Sequence, residues 1–133
     1  MCIRDSPSAI TASVPFNTVG PETVTLDQIQ IMPRNVAMAN PGTTGTNVIT
    51  QQFVAVGFYS DQTVQDLTSS ATWSVVDTDT GVAPVGAVIS STGNLETTNV
   101  PNASENLEVR VSITQTGNPS GTSSDSTLVL VSH

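Results

Sequence analysis

Polar and apolar residues alternate along much of this chain with a period of two. The stretch Leu107–Thr114 shows it most plainly. Leu107, Val109, Val111 and Ile113 share one side, and Glu108, Arg110, Ser112 and Thr114 share the other. That is the pattern of a strand buried on one face. The same rhythm places Ile10, Ala12, Val14 and Phe16 on one face of an N-terminal strand. From Gln51 to Ser74 it predicts a strand, a turn at Ser60–Gln62, a short return over Val64–Thr68 and a core strand over Ala71–Val76. The last of these carries the only tryptophan, Trp73, which is expected in the core. Gln28–Met32 is a further strand, ended by Pro33. Ala87–Ser90 and Leu95–Thr98 form a hairpin about Gly93–Asn94, and Thr127–Val131 closes the sheet. Gly, Pro and Asn mark loops at Asn17–Pro21, Asn40–Asn47, Asp77–Pro84, Asn99–Asn106 and Gly117–Ser124. Roughly seven to eight strands, with turns about every 8–12 residues, predict an all-β antiparallel sandwich of Greek-key connection. No segment has helical periodicity over a useful length.

Within the central strand, Phe53, Ala55, Gly57 and Tyr59 point one way and Val54, Val56 and Phe58 the other. If the first set faces the core, the second is an apolar row on an outer face. Leu128 and Leu130 are outward for the same reason if Val129 and Val131 are inward. Exposed rows of this kind mark contacts. Cover by Ile10, Val14 and Phe16 competes with contact to an adjacent module, and with an inverted assignment of faces.

Parity also bears on domain organisation. Val24 and Leu26 share a face, but Ile29 and Ile31 fall on the opposite one. A strand keeps its parity unless a bulge or bend intervenes. We take Asp27–Gln28 as a junction. Residues 7–26 are then the terminal hairpin of an upstream repeat, or an N-terminal extension, and residues 27–133 one complete domain. Residues 1–6, MCIRDS, resemble a translated sequencing adaptor; a natural N-terminus is the competing reading. Setting them aside removes Cys2, the only cysteine.

Composition narrows the function. Hydrophobic residues make up 37% of 133 and charged residues 11%, with a formal net charge of −8 and no lysine. Such a balance excludes a phosphate-binding surface and so nucleic acid. It also disfavours an anionic membrane surface. No apolar run reaches the roughly 20 residues of a membrane-spanning helix. No charged-then-apolar export segment begins the chain.

Candidate chemistry is sparse. The single histidine, His133, is the last residue and has no partner nearby in sequence. Neither a Ser-His-Asp set nor a zinc spacing can be built, and no catalytic or cofactor-binding residue is assigned. Asp77-Thr78-Asp79-Thr80-Gly81 has the opening of some calcium loops. Calcium needs six to eight oxygens, and no acid follows at the spacing that an EF-hand requires. A solvated loop competes with the metal site at Asp77 and Asp79. Tyr59 and Trp73 invite a sugar-stacking reading, against which stands a core position for Trp73. Asn102-Ala103-Ser104 is a formal glycosylation sequon.

The Gln51–Ser74 stretch resembles the bacterial Ig-like domain of group 2, a module repeated in intimin- and invasin-type surface proteins and in phage virion proteins. Tyr59-Ser60-Asp61, Asp66-Leu67-Thr68 and Thr72-Trp73-Ser74 carry the resemblance. Ile29-x-Ile31-x-Pro33 matches the opening strand of that family, and Ala87-Val88-Ile89-Ser90 with Gly93 and Leu95 its middle hairpin. Three features depart from the pattern: Gln62 stands where glycine is usual, the loop after Asp77 is long, and Asn99–Asn106 lacks a small-residue run. The resemblance implies an Ig-like sandwich in a tandem array, on a bacterial cell surface, otherwise extracellular, or in a phage virion. Its expected work is that of a non-catalytic spacer whose partners are neighbouring Ig-like modules of the same chain. Two alternatives stand: an adhesion module binding glycan or protein directly, and an ancillary module of a secreted hydrolase.

Overall fold

The computed structural model describes residues 24–40, 47–115 and 121–132. These residues hold ten strands and no helix. In chain order they are β1 (Leu26–Met32), β2 (Val36–Ala39), β3 (Val48–Gln52), β4 (Val54–Tyr59), β5 (Val64–Asp66), β6 (Thr72–Asp77), β7 (Ala87–Ile89), β8 (Asn94–Thr98), β9 (Asn106–Gln115) and β10 (Gly121–Ser132). One layer of the sandwich is the four-stranded sheet β2-β10-β9-β6. The other is made of two three-stranded pieces, β1-β4-β5 and β3-β8-β7. These two pieces meet at Phe53, the single residue between β3 and β4, whose N–H donates to Gly93 O at 2.8 Å. Inward parity runs unbroken through the joint, because Phe53, Ala55 and Gly57 are all buried.

The core lies between the layers. Ile29, Ile31, Phe53, Ala55 and Leu95 meet Trp73, Leu107, Val109, Val111, Val129 and Val131, each of them buried. Burying such side chains contributes about 1.5–3 kcal/mol apiece, before the entropy of ordering is counted. Trp73 is only 8% exposed, as its strand pattern predicts. Its indole Nε1–H donates to Thr68 O at 2.8 Å, so its one polar atom is satisfied inside. Gly93, at φ +80°, lies against the ring; a Cβ there would come within 2.9 Å of Trp73 Cζ2 and 2.7 Å of Phe53 O. Gly57 is just as confined, with a Cβ position 2.4 Å from Leu67 Cδ1.

The first strand of the domain crosses between layers. β1 pairs antiparallel with β4, and β2 pairs parallel with the end of β10. The change of parity at Asp27–Gln28 is a β-bulge inside β1, where Leu26 faces Tyr59 and Gln28 faces Phe58. Leu26 is buried in the same core as Ile29 and Ile31, so the bulge, not a junction between strands, resets the alternation. At the crossover the backbone is held by side chains of β10. Asp125 Oδ2 accepts the Ile31 N–H at 2.8 Å and also binds the Arg34 guanidinium. Thr127 Oγ1 accepts the Asn35 N–H at 2.8 Å.

Other differences from the alternation are local. Gly121–Ser124 belong to β10 and pair with Gln115–Ser112 of β9, although their Gly/Ser content reads as turn. β2 has no sequence signal of its own. The outward residues fall as expected: Leu128 and Leu130 are 56% and 54% exposed, and Val54, Val56 and Phe58 are half-buried. The expected strand at Ile10–Phe16, the hairpin of residues 7–26 up to position 23, and residues 1–6 lie outside the described residues.

Two stability measurements test this account. Trp73→Ala should lower the unfolding free energy by about 3–5 kcal/mol in urea denaturation; a loss below 1 kcal/mol would mean that the tryptophan is not the core element described. Gln62 sits at φ +69° in the turn where Gln62 N–H donates to Tyr59 O at 2.9 Å. A left-handed residue with a Cβ costs about 1–2 kcal/mol, partly offset by the unfolded-state entropy of glycine. Gln62→Gly should therefore raise stability by up to about 1 kcal/mol, and a decrease would show that the turn has another geometry.

Candidate functional site

Of the residues that carry the resemblance, Ser60-Asp61 lie in the turn between β4 and β5 and Asp66-Leu67-Thr68 at the end of β5, and there they do structural work. Asp61 and Asp66 each head an Asp-x-Thr turn. Asp61 accepts the hydroxyl and the N–H of Thr63, and Asp66 does the same with Thr68. In each case the threonine hydroxyl, then the N–H, holds the carboxyl below the usual carboxylate range. Thr68 passes the order on. Its Oγ1 accepts the Ala55 N–H at 3.0 Å, and its carbonyl takes the Trp73 indole. Ser60 binds the start of the domain, accepting the Thr25 N–H at Oγ and donating its own N–H to Thr25 O. Because Trp73 is buried and bonded inward, it does not present an open ring beside Tyr59 for a sugar to stack on.

The loops at the end of the sandwich where β10 finishes form an open depression of about 440 Å³. Asp77, Asp79, Val85, Asn102, Ser104 and Asn106 are among its walls. Asp77 is not a solvated loop acid: it ends β6 on the inward side and is 9% exposed. Its Oδ2 accepts the Ser104 hydroxyl, and its Oδ1 accepts the N–H groups of Asp79 and Thr80 at 2.8 and 3.2 Å. The Ser104 hydroxyl is the largest cause of a carboxyl held below the usual range; desolvation works against it, and the two N–H groups support it. Ser104 Oγ in turn accepts the Val85 N–H at 3.0 Å. Asp79 Oδ2 accepts from Asn106 Nδ2 at 3.1 Å.

The Asp77–Gly81 loop thus spends its carboxylates on closing itself and on fastening Ser104. Among the described residues, no group of three or more His, Cys, Asp or Glu side chains is placed to hold a metal ion. The sequon shares this fate: Asn102 sits at φ +61°, and the Ser104 hydroxyl is a buried link between Asp77 and Val85. Cys2 and His133 lie outside the described residues. The role of Asp77 was invisible in the sequence because Ser104 lies 27 residues away.

On the outer face of the four-stranded sheet, Arg110 makes a two-pronged pair with Glu108 at 3.0 and 3.1 Å. These bonds, more than the attraction of the charges alone, keep the Glu108 carboxyl below the usual range. No protein-family model and no curated protein matches the chain.

Among the described residues, the carboxyls of Asp61, Asp66, Asp77 and Glu108 favour the ionised form in the folded state. Groups with depressed values contribute stability above their unfolded values, which lie near 4, and lose it as pH falls through the lower folded ones. The melting temperature should be level from pH 7 to about pH 5 and fall from about pH 4 downward. Asp77→Asn should flatten that fall, and a flat wild-type profile down to pH 2 would refute the assignment. Calcium supplies the second test. Adding it, or a chelator, should leave the melting temperature of the protein unchanged, since the Asp77 oxygens are already bonded. A saturable rise would make Asp77 and Asp79 ligands.

Proposed function

We propose that the chain is a non-catalytic Ig-like spacer module of the group 2 kind, one of a tandem array in a bacterial surface protein or a phage virion. The strand order supports the Ig-like reading. β6, β9 and β10 form one sheet with β2 added beside β10, and the other layer carries β1, β3–β4, β8 and β7. Constant-type Ig domains divide their strands in the same way. The hydrogen bonds that link Asp66, Thr68 and Trp73 support the resemblance at those positions.

The observation that carries the spacer reading is the placement of the two chain directions. β1 begins beside Gln115, whose Oε1 accepts the Leu26 N–H at 3.0 Å, and Gln115 pairs with Gly121 at the start of β10. β10 then runs twelve residues to Ser132, where Asn40 N–H donates to Ser132 O at 2.7 Å. At about 3.3 Å per residue the strand covers close to 40 Å. The described strands therefore begin at one pole of the sandwich, at β1, and end at the other, at Ser132. Modules joined through such poles add length in line, which suits a part that holds something away from a surface.

Two chains joined head to tail should give a maximum dimension near twice that of one chain in small-angle X-ray scattering. The isolated protein should also show no saturable binding across a glycan panel. A folded-back pair with the dimension of a single module would sink the spacer reading. Saturable glycan binding would favour the adhesion module instead.

A further inference from the structure

The two outer faces of the sandwich differ in how their apolar residues are spread. On the four-stranded sheet, Thr72, Ser74, Glu108, Arg110 and Ser112 are polar, and the exposed Leu128 and Leu130 stand at the end of β10. On β1-β4-β5 the outward rows are Met32 beside Val54, Gln30 beside Val56 and Asp66, and Gln28 beside Phe58 and Val64. Five of these eight positions are large and apolar, and Met32 and Val64 are 45% and 58% exposed. The core does not need them, since Ile29, Ile31, Phe53 and Ala55 already fill the inward side.

We propose that this face is a docking surface whose occupant is the chain's own stretch Ile10–Phe16. Three observations point to that segment. The face carries charge only at its edges, at Asp66 of β5 and at the exposed Asp27 in the bulge of β1, and Ile10, Ala12, Val14 and Phe16 offer an uncharged apolar set at alternate positions. The tether starts in the right place: Thr25 is fixed to Ser60 by two hydrogen bonds, at 3.0 and 2.8 Å, at the end of the face where Phe58 and Val64 lie. The reach is sufficient. Eight residues lie between Phe16 and Thr25, nine steps along the chain, with Gly20-Pro21 among them to turn it. At about 3.3 Å per residue they span up to roughly 30 Å, against about 13 Å from Phe58 to Val54. The outer face would then be closed by sequence next to the domain rather than by a separate partner.

The test uses the full chain with Cys2→Ser as background. One cysteine pair is added at a time, Val56→Cys with Ala12→Cys, Val14→Cys or Phe16→Cys in turn, and with Ser13→Cys as the control of opposite parity. Mild oxidation should give an intramolecular disulfide with at least one of the first three and none with Ser13→Cys. No intramolecular bond in any variant overturns the proposal, and so does a bond formed only between chains, which would assign the face to a second copy. A mutant cycle gives an independent readout. Ile10→Thr/Val14→Thr/Phe16→Thr and Val54→Thr/Val56→Thr/Phe58→Thr should each lower the melting temperature, and the combined variant should lose clearly less than the sum. Strictly additive losses overturn it. If a triple variant fails to fold, the disulfide experiment decides.

Discussion

Trp73 and the small space kept for it hold the two layers together. The ring stands on β6 in one layer and is received by groups of the other. Gly93 leaves room over its face, Thr68 O takes its N–H, and Phe53 lies at the joint of β3 and β4 beside Gly93. Each is positioned by something nearer the surface. Asp66 orients Thr68, whose hydroxyl holds Ala55 in the central strand. A large aromatic in a core gives most of its stabilisation only if the site is shaped to its volume. Here the shaping is done by one glycine without a side chain and one threonine whose hydroxyl and carbonyl face different strands. An error at either would loosen the ring and the joint together.

The fold class was legible because most of the strands have one wet face and one dry face. Leu107–Thr114 declares itself by alternation alone, whereas Phe53–Tyr59 is apolar on both sides and its sequence left the inward set open. What escaped was structure fixed by contacts distant in sequence. Gly121–Ser124 reads as turn, yet it is strand because β9 supplies a full antiparallel partner. Asp125, the next residue, has inward parity and is half-buried, because the Ile31 N–H and Arg34 await it 94 and 91 residues earlier in the chain. β2 is four residues without alternation, and its pairing with β10 is parallel, so no turn announces it.

The same holds for the candidate site. Asp77-x-Asp79-x-Gly81 has the letters of a cation loop, but letters do not reveal which way a carboxylate points. Asp77 points in, and Ser104 meets it from a loop that the sequence places far away. The Asp-x-Thr turns at Asp61 and Asp66 carry a local signal, acid and threonine two residues apart that satisfy each other, of which only the turn at Ser60–Gln62 was read from the sequence. Polar residues in this protein mostly brace the backbone, which leaves few free to act on another molecule.

The stitching of β1 and β2 along β10 has a mechanical consequence. From Leu26 to Asn40 this stretch is fastened in turn at Gln115, Asp125, Thr127 and the parallel ladder ending at Ser132. Tension between the two poles would pull β2 back along its own axis while drawing β10 the opposite way. The ladder would then be loaded in shear, with its bonds sharing the force at once instead of opening singly like a zipper. Resistance to stretching would thus reside in a four-residue strand that contributes only Met38 to the fully buried core.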